Sequence, residues 1–287
     1  MNILKPLFFL AFFVFCGVAF AQDDLLNELD SVKTKEKEIE IAAFKGLQIG
    51  TMQSTKLAAK GEWYFMVAHR FGDLTQGFEN FLGLDNAYAK IGAIWGITNW
   101  FQVGASRHTY NKIFEFTTKY KLANQEVNGF PITIVGYNTM DIRTDLKQRL
   151  YPNLTFMNRL AFSTQLLVSR KFNDKLSLEL NPIYVHKNLY EPATENKDQF
   201  LIGMGSRYKI TKRMSINLEY AAKLNTTETN IYQNPLTINL DIETGGHVFQ
   251  LLFSNSQPMN DVAYFTNGLG RWDGGSLFFG FNLFRVF

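Results

Sequence analysis

Leu277-Phe278-Phe279-Gly280-Phe281-Asn282-Leu283-Phe284-Arg285-Val286-Phe287 closes the chain. Leu277, Phe279, Phe281 and Leu283 fall on one face, and Gly280 and Asn282 lie between them. Alternation at period two with one greasy face is the signature of a β-strand. A strand of this kind that runs to a terminal phenylalanine points, together with the opposite end of the chain, to the outer membrane of a Gram-negative cell.

At that opposite end, residues 1–21 read as a secretory signal. Lys5 supplies the charge, Leu7 to Phe15 is almost wholly apolar, and Ala19-Phe20-Ala21 fits the small-x-small cleavage rule, so the exported chain begins at Gln22. The apolar run is too short to span a bilayer as a helix. Cys16 invites a lipoprotein reading, but the bulky Phe15 before it does not suit a lipobox. Cys16 is also the single cysteine, so the exported chain has no disulfide and no thiolate chemistry. Charge is nearly balanced, with 29 basic against 26 acidic residues, which gives no footing for nucleic acid. Beyond Ala21 no run of about 18 apolar residues occurs, which excludes helical spans. The chain nonetheless holds 27 Phe, 12 Tyr and 4 Trp with only 7 Pro. A transmembrane barrel combines these features, because only every second strand residue faces lipid.

The alternation persists from Glu62 onward. Met214, Ile216, Leu218 and Tyr220 alternate with Ser215, Asn217 and Glu219. Leu236, Ile238, Leu240 and Ile242 alternate with Thr237, Asn239, Asp241 and Glu243. A β-sandwich alternates too; the lengths of the joins separate the two folds. Strands near 62–71, 87–96, 100–109, 112–122, 130–139, 158–172, 175–187, 199–210, 213–224, 236–243, 247–254 and 276–287 leave joins of two kinds. One set is short and rich in Asn, Asp and Gly; the other is long, with Tyr110-Asn111 the exception. Short periplasmic turns and long extracellular loops are the rule for bacterial outer-membrane barrels. The expectation is therefore an all-β fold: one up-and-down antiparallel transmembrane barrel of about twelve strands over 62–287. Residues 22–61 form a periplasmic lead-in, helical (Leu25, Leu26, Leu29 and Val32 have helical spacing) or disordered, with a lumen plug or an edge strand also open. The even count requires a hairpin at Gly245-Gly246. Trp63, Trp95 and Trp100 fall at periplasmic strand ends and are expected at the membrane–water interface.

The stretches His69-Arg70-Phe71-Gly72, Leu178 to Asn188 (LELNPIYVHKN), Gly245 to Leu251 (GGHVFQL) and the ending from Gly280 to Phe287 together resemble a Bacteroidota outer-membrane β-barrel family of unknown function. The resemblance covers nearly all of the exported chain. It implies the barrel fold and the outer membrane, and it transfers no catalytic residues. Phe287 also resembles the signal read by the barrel-assembly machinery, although Arg285 stands where that signal prefers an apolar or aromatic residue.

The alternation turns Glu115, Lys119, Lys121, Glu179, Asn181, Arg207, Lys209, Glu219, Lys223, Asp241 and Glu243 toward the lumen. Two readings of this mixed-sign face stay open. In one it lines a narrow channel or uptake pathway for small polar solutes, without strong ion selectivity; in the other it is a salt-bridged filling. About twelve strands lie between the eight that leave no channel and the sixteen to eighteen that leave a wide one. A structural or interaction barrel, anchoring an envelope complex through residues 22–43, is the alternative function. A lipid hydrolase is the remote one: Ser106 and His108 share a face, but that face is the lumen, where a nucleophile meets no lipid. His69, His108, His186 and His247 show no metal-ligand spacing. Gly203-Met204-Gly205 lacks the rest of a dinucleotide fingerprint. No cofactor, metal or catalytic residue is expected, and the partners are outer-membrane lipids, the barrel-assembly machinery and a small polar solute. The long loops 140–157 and 255–275 are free to bind ligands or fold into the mouth.

Overall fold

Strands that cross a bilayer must pair on both edges, because an unpaired N–H or C=O in hydrocarbon costs several kcal/mol, so the sheet closes on itself. A computed structural model of the protein shows this closure. It describes residues 38–40 and 42–287, of which Ile39 onward forms one unit. The expected signal at 1–21 and the helix-spaced leucines of the lead-in lie outside the described residues.

The twelve strands are β1 (Trp63–Asp73), β2 (Tyr88–Thr98), β3 (Phe101–His108), β4 (Ile113–Ala123), β5 (Thr133–Arg143), β6 (Leu160–Lys171), β7 (Leu176–Lys187), β8 (Asp198–Lys209), β9 (Met214–Lys223), β10 (Leu236–Thr244), β11 (His247–Ser254) and β12 (Phe278–Val286). Each pairs antiparallel with the next, and β12 pairs with β1 to close the barrel. The last residue takes part in the seam: Phe287 N donates to Trp63 O at 2.8 Å, and Trp63 N donates to Phe287 O at 3.2 Å. The hairpin at Gly245-Gly246 is present. Thr244 pairs with His247 across it, and Gly246 adopts φ +113°, a conformation that L side chains rarely take. Among the described residues no helix is long and apolar enough to cross a membrane.

Most strand ends fall within one or two residues of the sequence boundaries, and β5 departs furthest. β5 begins three residues later and ends four residues later than expected. Pro131 cannot donate to a ladder, so pairing starts beyond it. At the other end Met140, Asp141 and Ile142 continue opposite Phe116, Glu115 and Phe114. Asp141 and Arg143 thereby join the inward row.

Two segments enter the lumen from opposite rims. The join between β11 and β12 folds inward from the long-loop rim, and its short helix α1 (Asp261–Thr266) is buried at all six positions. From the short-turn rim, residues 42–58 loop into the barrel before β1 begins. Their start is fastened at the β4–β5 turn, where Glu40 N donates to Gln125 O at 2.9 Å and the Glu40 carboxylate pairs with Lys171 at 2.7 Å. The core of the molecule is this filled lumen.

Candidate functional site

The inserted segment 42–58, called the plug below, has no regular secondary structure. Its backbone must therefore find partners on the barrel wall. At its tip Ile49 N donates to Met52 O at 2.8 Å, which turns the consecutive amides of Gly50, Thr51 and Met52 outward together. All three donate to the Glu219 carboxylate of β9, at 3.0, 2.8 and 2.9 Å. Tyr264 of α1 donates its hydroxyl to the same carboxylate at 2.8 Å, so Glu219 joins the two inserted segments. A concavity of successive N–H groups is an anion seat, and here the anion is a side chain of the wall.

The opposite polarity is supplied by Lys119 of β4. Its ammonium donates to the carbonyls of Leu47, Ser54 and Lys56, at 3.0, 3.1 and 3.3 Å. Asn239 and Gln250 both donate to Ile49 O, and Asn282 donates to Gly50 O. Glu179 accepts from Thr55 N, and Gln102 accepts from Ala58 N. Arg70, buried on β1, donates to the Thr51 hydroxyl and to Asn282. The inward polar residues are thus a socket for the plug's main chain.

Apolar contacts complete the fit. Met52 packs with Ile183, Val185, Leu201 and Ala221 of the wall and with Val262, Tyr264 and Phe265 of the join that carries α1. Leu47 and Ala58 pack with Tyr64, Met66 and Phe284. Room for two of these plug side chains comes from Gly203 and Gly205 of β8. A Cβ at Gly205 would lie 2.3 Å from the Ile49 Cδ1, and one at Gly203 would lie 2.6 Å from the Met52 Cε. The Gly-Met-Gly triplet makes space; it is no part of a nucleotide loop.

Of the residues expected to face the lumen, Glu115, Lys119, Glu179, Asn181, Arg207, Glu219 and Asp241 are buried inside it. Lys121, Lys209, Lys223 and Glu243 lie on the same inward row, partly buried toward the rims. Of these charges Arg207 and Glu243 pair with each other, at 3.0 Å, while Glu115 pairs with Lys90 of β2, at 2.7 Å. Ser106 and His108 both join the buried Glu115 network, at 3.0 and 3.3 Å from its carboxylate. Trp63, Trp95 and Trp100 are exposed on the outer wall at the short-turn rim, and Trp63 stacks on Trp95 at 5.1 Å. Phe287 is exposed, with the Arg285 guanidinium over its ring at 4.6 Å. The socket residues Arg70, Gln102, Asn239, Gln250 and Asn282 are not among the expected site residues. Their signal is present in the sequence: each is polar at an inward position of an otherwise greasy strand. Among the described residues no group of three or more His, Cys, Asp or Glu is placed to hold a metal.

Cavities lie on both sides of the plug. One of about 360 Å³ opens at the long-loop mouth among Tyr110, Arg143, Arg159, Lys187, Tyr232 and Asn260. One of about 330 Å³ opens at the short-turn mouth among Lys45, Lys56, Arg213 and Glu243. Between plug and wall, along β2–β4, runs a gap of about 20 Å³ lined by Gln48, Gln53, Lys90, Gln102 and Glu115. That is about the room one water needs. Larger hollows of about 620 and 540 Å³ lie on the outer wall, where the lining is almost wholly apolar and faces lipid. Burial shapes the ionisation of the inserted parts. It pushes the Tyr110 hydroxyl up to about 12 and lowers the Lys56 ammonium, while burial and the neighbouring Glu115 raise Asp261 to about 7.

Comparisons with known proteins agree on the architecture. The profile of a family described as "Membrane bound beta barrel domain (DUF5777)" matches residues 44–287, all but the first two residues of the plug together with all twelve strands. The KdgM porin, solved in complex with disordered oligogalacturonate, superposes with a TM-score of 0.50 at 10% identity, over 79% of this chain and 99% of that one. The COG4313 outer membrane channel from Pseudomonas putida F1 gives 0.49 at 11% identity, over 81% and 98%. The NanC porin gives 0.47 at 9% identity, over 78% and 98%. These are likenesses of fold. No curated protein matches the chain by sequence.

Proposed function

The chain belongs to the membrane-bound β-barrel family DUF5777, and from that premise we propose that it is an outer-membrane uptake barrel in which an internal plug gates the path of small polar solutes. The observation that carries this reading is the seam between plug and wall along β2–β4. Gln48 and Gln53 of the plug face Lys90, Gln102 and Glu115 of the wall there, beside the apolar Met66, Ala93 and Ile94. The plug is bound through its main chain by wall side chains, so its departure would leave polar groups that water can solvate. A twelve-stranded barrel with such a wall is wide enough for a narrow aqueous path. The outer-membrane location and the roles of the leader and of Phe287 as assembly signal belong to the same reading, supported by the porin-like fold.

The test is conductance in planar bilayers, comparing the full chain with a variant lacking residues 42–58. The full chain should sit near background with rare openings, and the deletion should give sustained steps. A deletion variant that folds to a heat-modifiable barrel and still conducts no current would refute the proposal. That outcome would favour a structural barrel, a reading supported by the apolar inward residues Ile183, Val185 and Leu201, which water would not wet.

A further inference from the structure

The cavity at the long-loop mouth holds two groups that the plug does not use. Asp141 and Asn260 lie at its floor and are 2% and 1% exposed. Asn260 Nδ2 donates to Asp141 Oδ2 at 2.7 Å, whereas Asp141 Oδ1 and Asn260 Oδ1 have no hydrogen-bond partner among the described residues. Two buried acceptors without donors call for a ligand that brings N–H or O–H groups. The surroundings favour a cationic donor. Asp141 lies opposite Glu115, and Asp261 N donates to that same Glu115. Lys90 is already engaged by Glu115 and by Met259 O. Two free oxygens are too few for a Ca²⁺ or Mg²⁺ shell.

The other end of the cavity has the opposite character. Arg143 is paired in two-point fashion with Asp145, and Lys187 is paired with Glu195. Arg159 donates only to carbonyls, Arg143 O at 3.2 Å and Leu146 O at 2.9 Å, which leaves guanidinium N–H groups unspent. Asp141 pairs with Ala161, so Arg159, two residues before Ala161, is set about 7 Å from Asp141 along the wall and one strand spacing of about 5 Å across it. The rings of Tyr110 and Tyr232 line the cavity beside them.

We propose that this cavity binds a zwitterionic amino compound of free amino-acid size, its ammonium on Asp141 and Asn260 and its carboxylate on Arg159. The span fits. Two charge-assisted hydrogen bonds of about 2.8 Å, with the ammonium-to-carboxylate reach of about 3 Å between them, bridge acid and guanidinium groups set this far apart. The tyrosine rings receive the side chain. The site does not depend on the plug opening, so binding and conductance can fail separately.

The experiment is isothermal titration calorimetry on the full chain in detergent micelles, with L-phenylalanine, N-acetyl-L-phenylalanine, L-phenylalaninamide and maltose as probes. L-phenylalanine should bind, and masking either charged end should weaken it about 10- to 100-fold, as expected for a lost charged hydrogen bond. Asp141→Asn should weaken L-phenylalanine to the same extent and leave the acetylated probe unchanged. The ligand-side comparison is made on the natural protein and does not require the variant to fold. Equal binding of the N-acetyl probe, binding of maltose alone, or no heat from any probe would each overturn the assignment.

Discussion

Glu219→Ala is the sharpest test of the socket, because one side chain meets three successive plug amides and the Tyr264 hydroxyl, all at 2.8–3.0 Å and all buried. Each buried donor left without an acceptor costs about 1–3 kcal/mol. The four donors share one carboxylate and one turn, so their costs do not add in full. Removing the carboxylate also relieves its own desolvation, worth several kcal/mol for a buried ion. The balance is a plug weakened by roughly 3–5 kcal/mol, or about two to four orders of magnitude in the ratio of released to seated plug. Glu219→Gln keeps one acceptor oxygen and should fall between the variant and the natural protein.

The assay is hydrogen exchange followed by mass spectrometry in micelles. Peptides covering 46–56 should lose protection in Glu219→Ala, while peptides from β7 and β8 keep theirs. That contrast separates plug release from unfolding of the barrel. Openings in planar bilayers should rise in parallel. Unchanged exchange at 50–52 in a folded variant would refute the socket as the force that seats the plug.

Three further outcomes follow from the same contacts. Lys119→Met strips the donor from three plug carbonyls; trypsin should then cut at Lys45 or Lys56 at least tenfold faster than in the natural protein, for a loss of about 1.4 kcal/mol or more. Gly205→Val places a side chain where Ile49 Cδ1 lies and should destabilise the seated plug by about 1–3 kcal/mol; Ile49→Ala in the same chain should restore protection of 46–56, and absence of rescue would place the strain elsewhere. Asp261 binds its proton more tightly when α1 is seated, with a value raised from the ordinary 3.8 to about 7, so its contribution is complete below about pH 4 and is lost as pH rises through about 7. Exchange of peptides 259–267, corrected for intrinsic rates, should therefore show weaker seating at pH 8 than at pH 5.5, and Asp261→Asn should flatten the difference.

The barrel was legible because its rules are local. Period-two alternation, short turns against long loops and the pair Gly245-Gly246 each depend on a few neighbouring residues, and together they give twelve strands. The plug was not legible in that way. Residues 42–58 have no periodicity, since their main chain is satisfied by Glu219, Lys119, Asn239, Gln250 and Asn282, which lie 60 or more positions away in sequence. An irregular segment leaves no pattern of its own; its imprint is on the wall.

That imprint can be read in hindsight from where the inward row breaks its rule. A water-filled lumen asks for polar residues at every inward position. Tyr64, Met66, Val135, Leu167, Ile183, Val185, Leu201 and Phe284 are inward, apolar and buried. Each would meet water in an open pore, and each instead belongs to a cluster with Met52, Leu57 or Leu47 of the plug. Inward charges without opposite charges beside them make the same point. The Lys119 ammonium and the Glu219 carboxylate face main-chain carbonyls and amides, so neither is a rung of a salt-bridged filling nor a bare lining charge. Polar and apolar inward residues are reconciled only if the lumen was selected to hold a protein segment. Passage of solute is then a question of how far the seam along β2–β4 can widen before the apolar contacts of Met52 and Leu47 break.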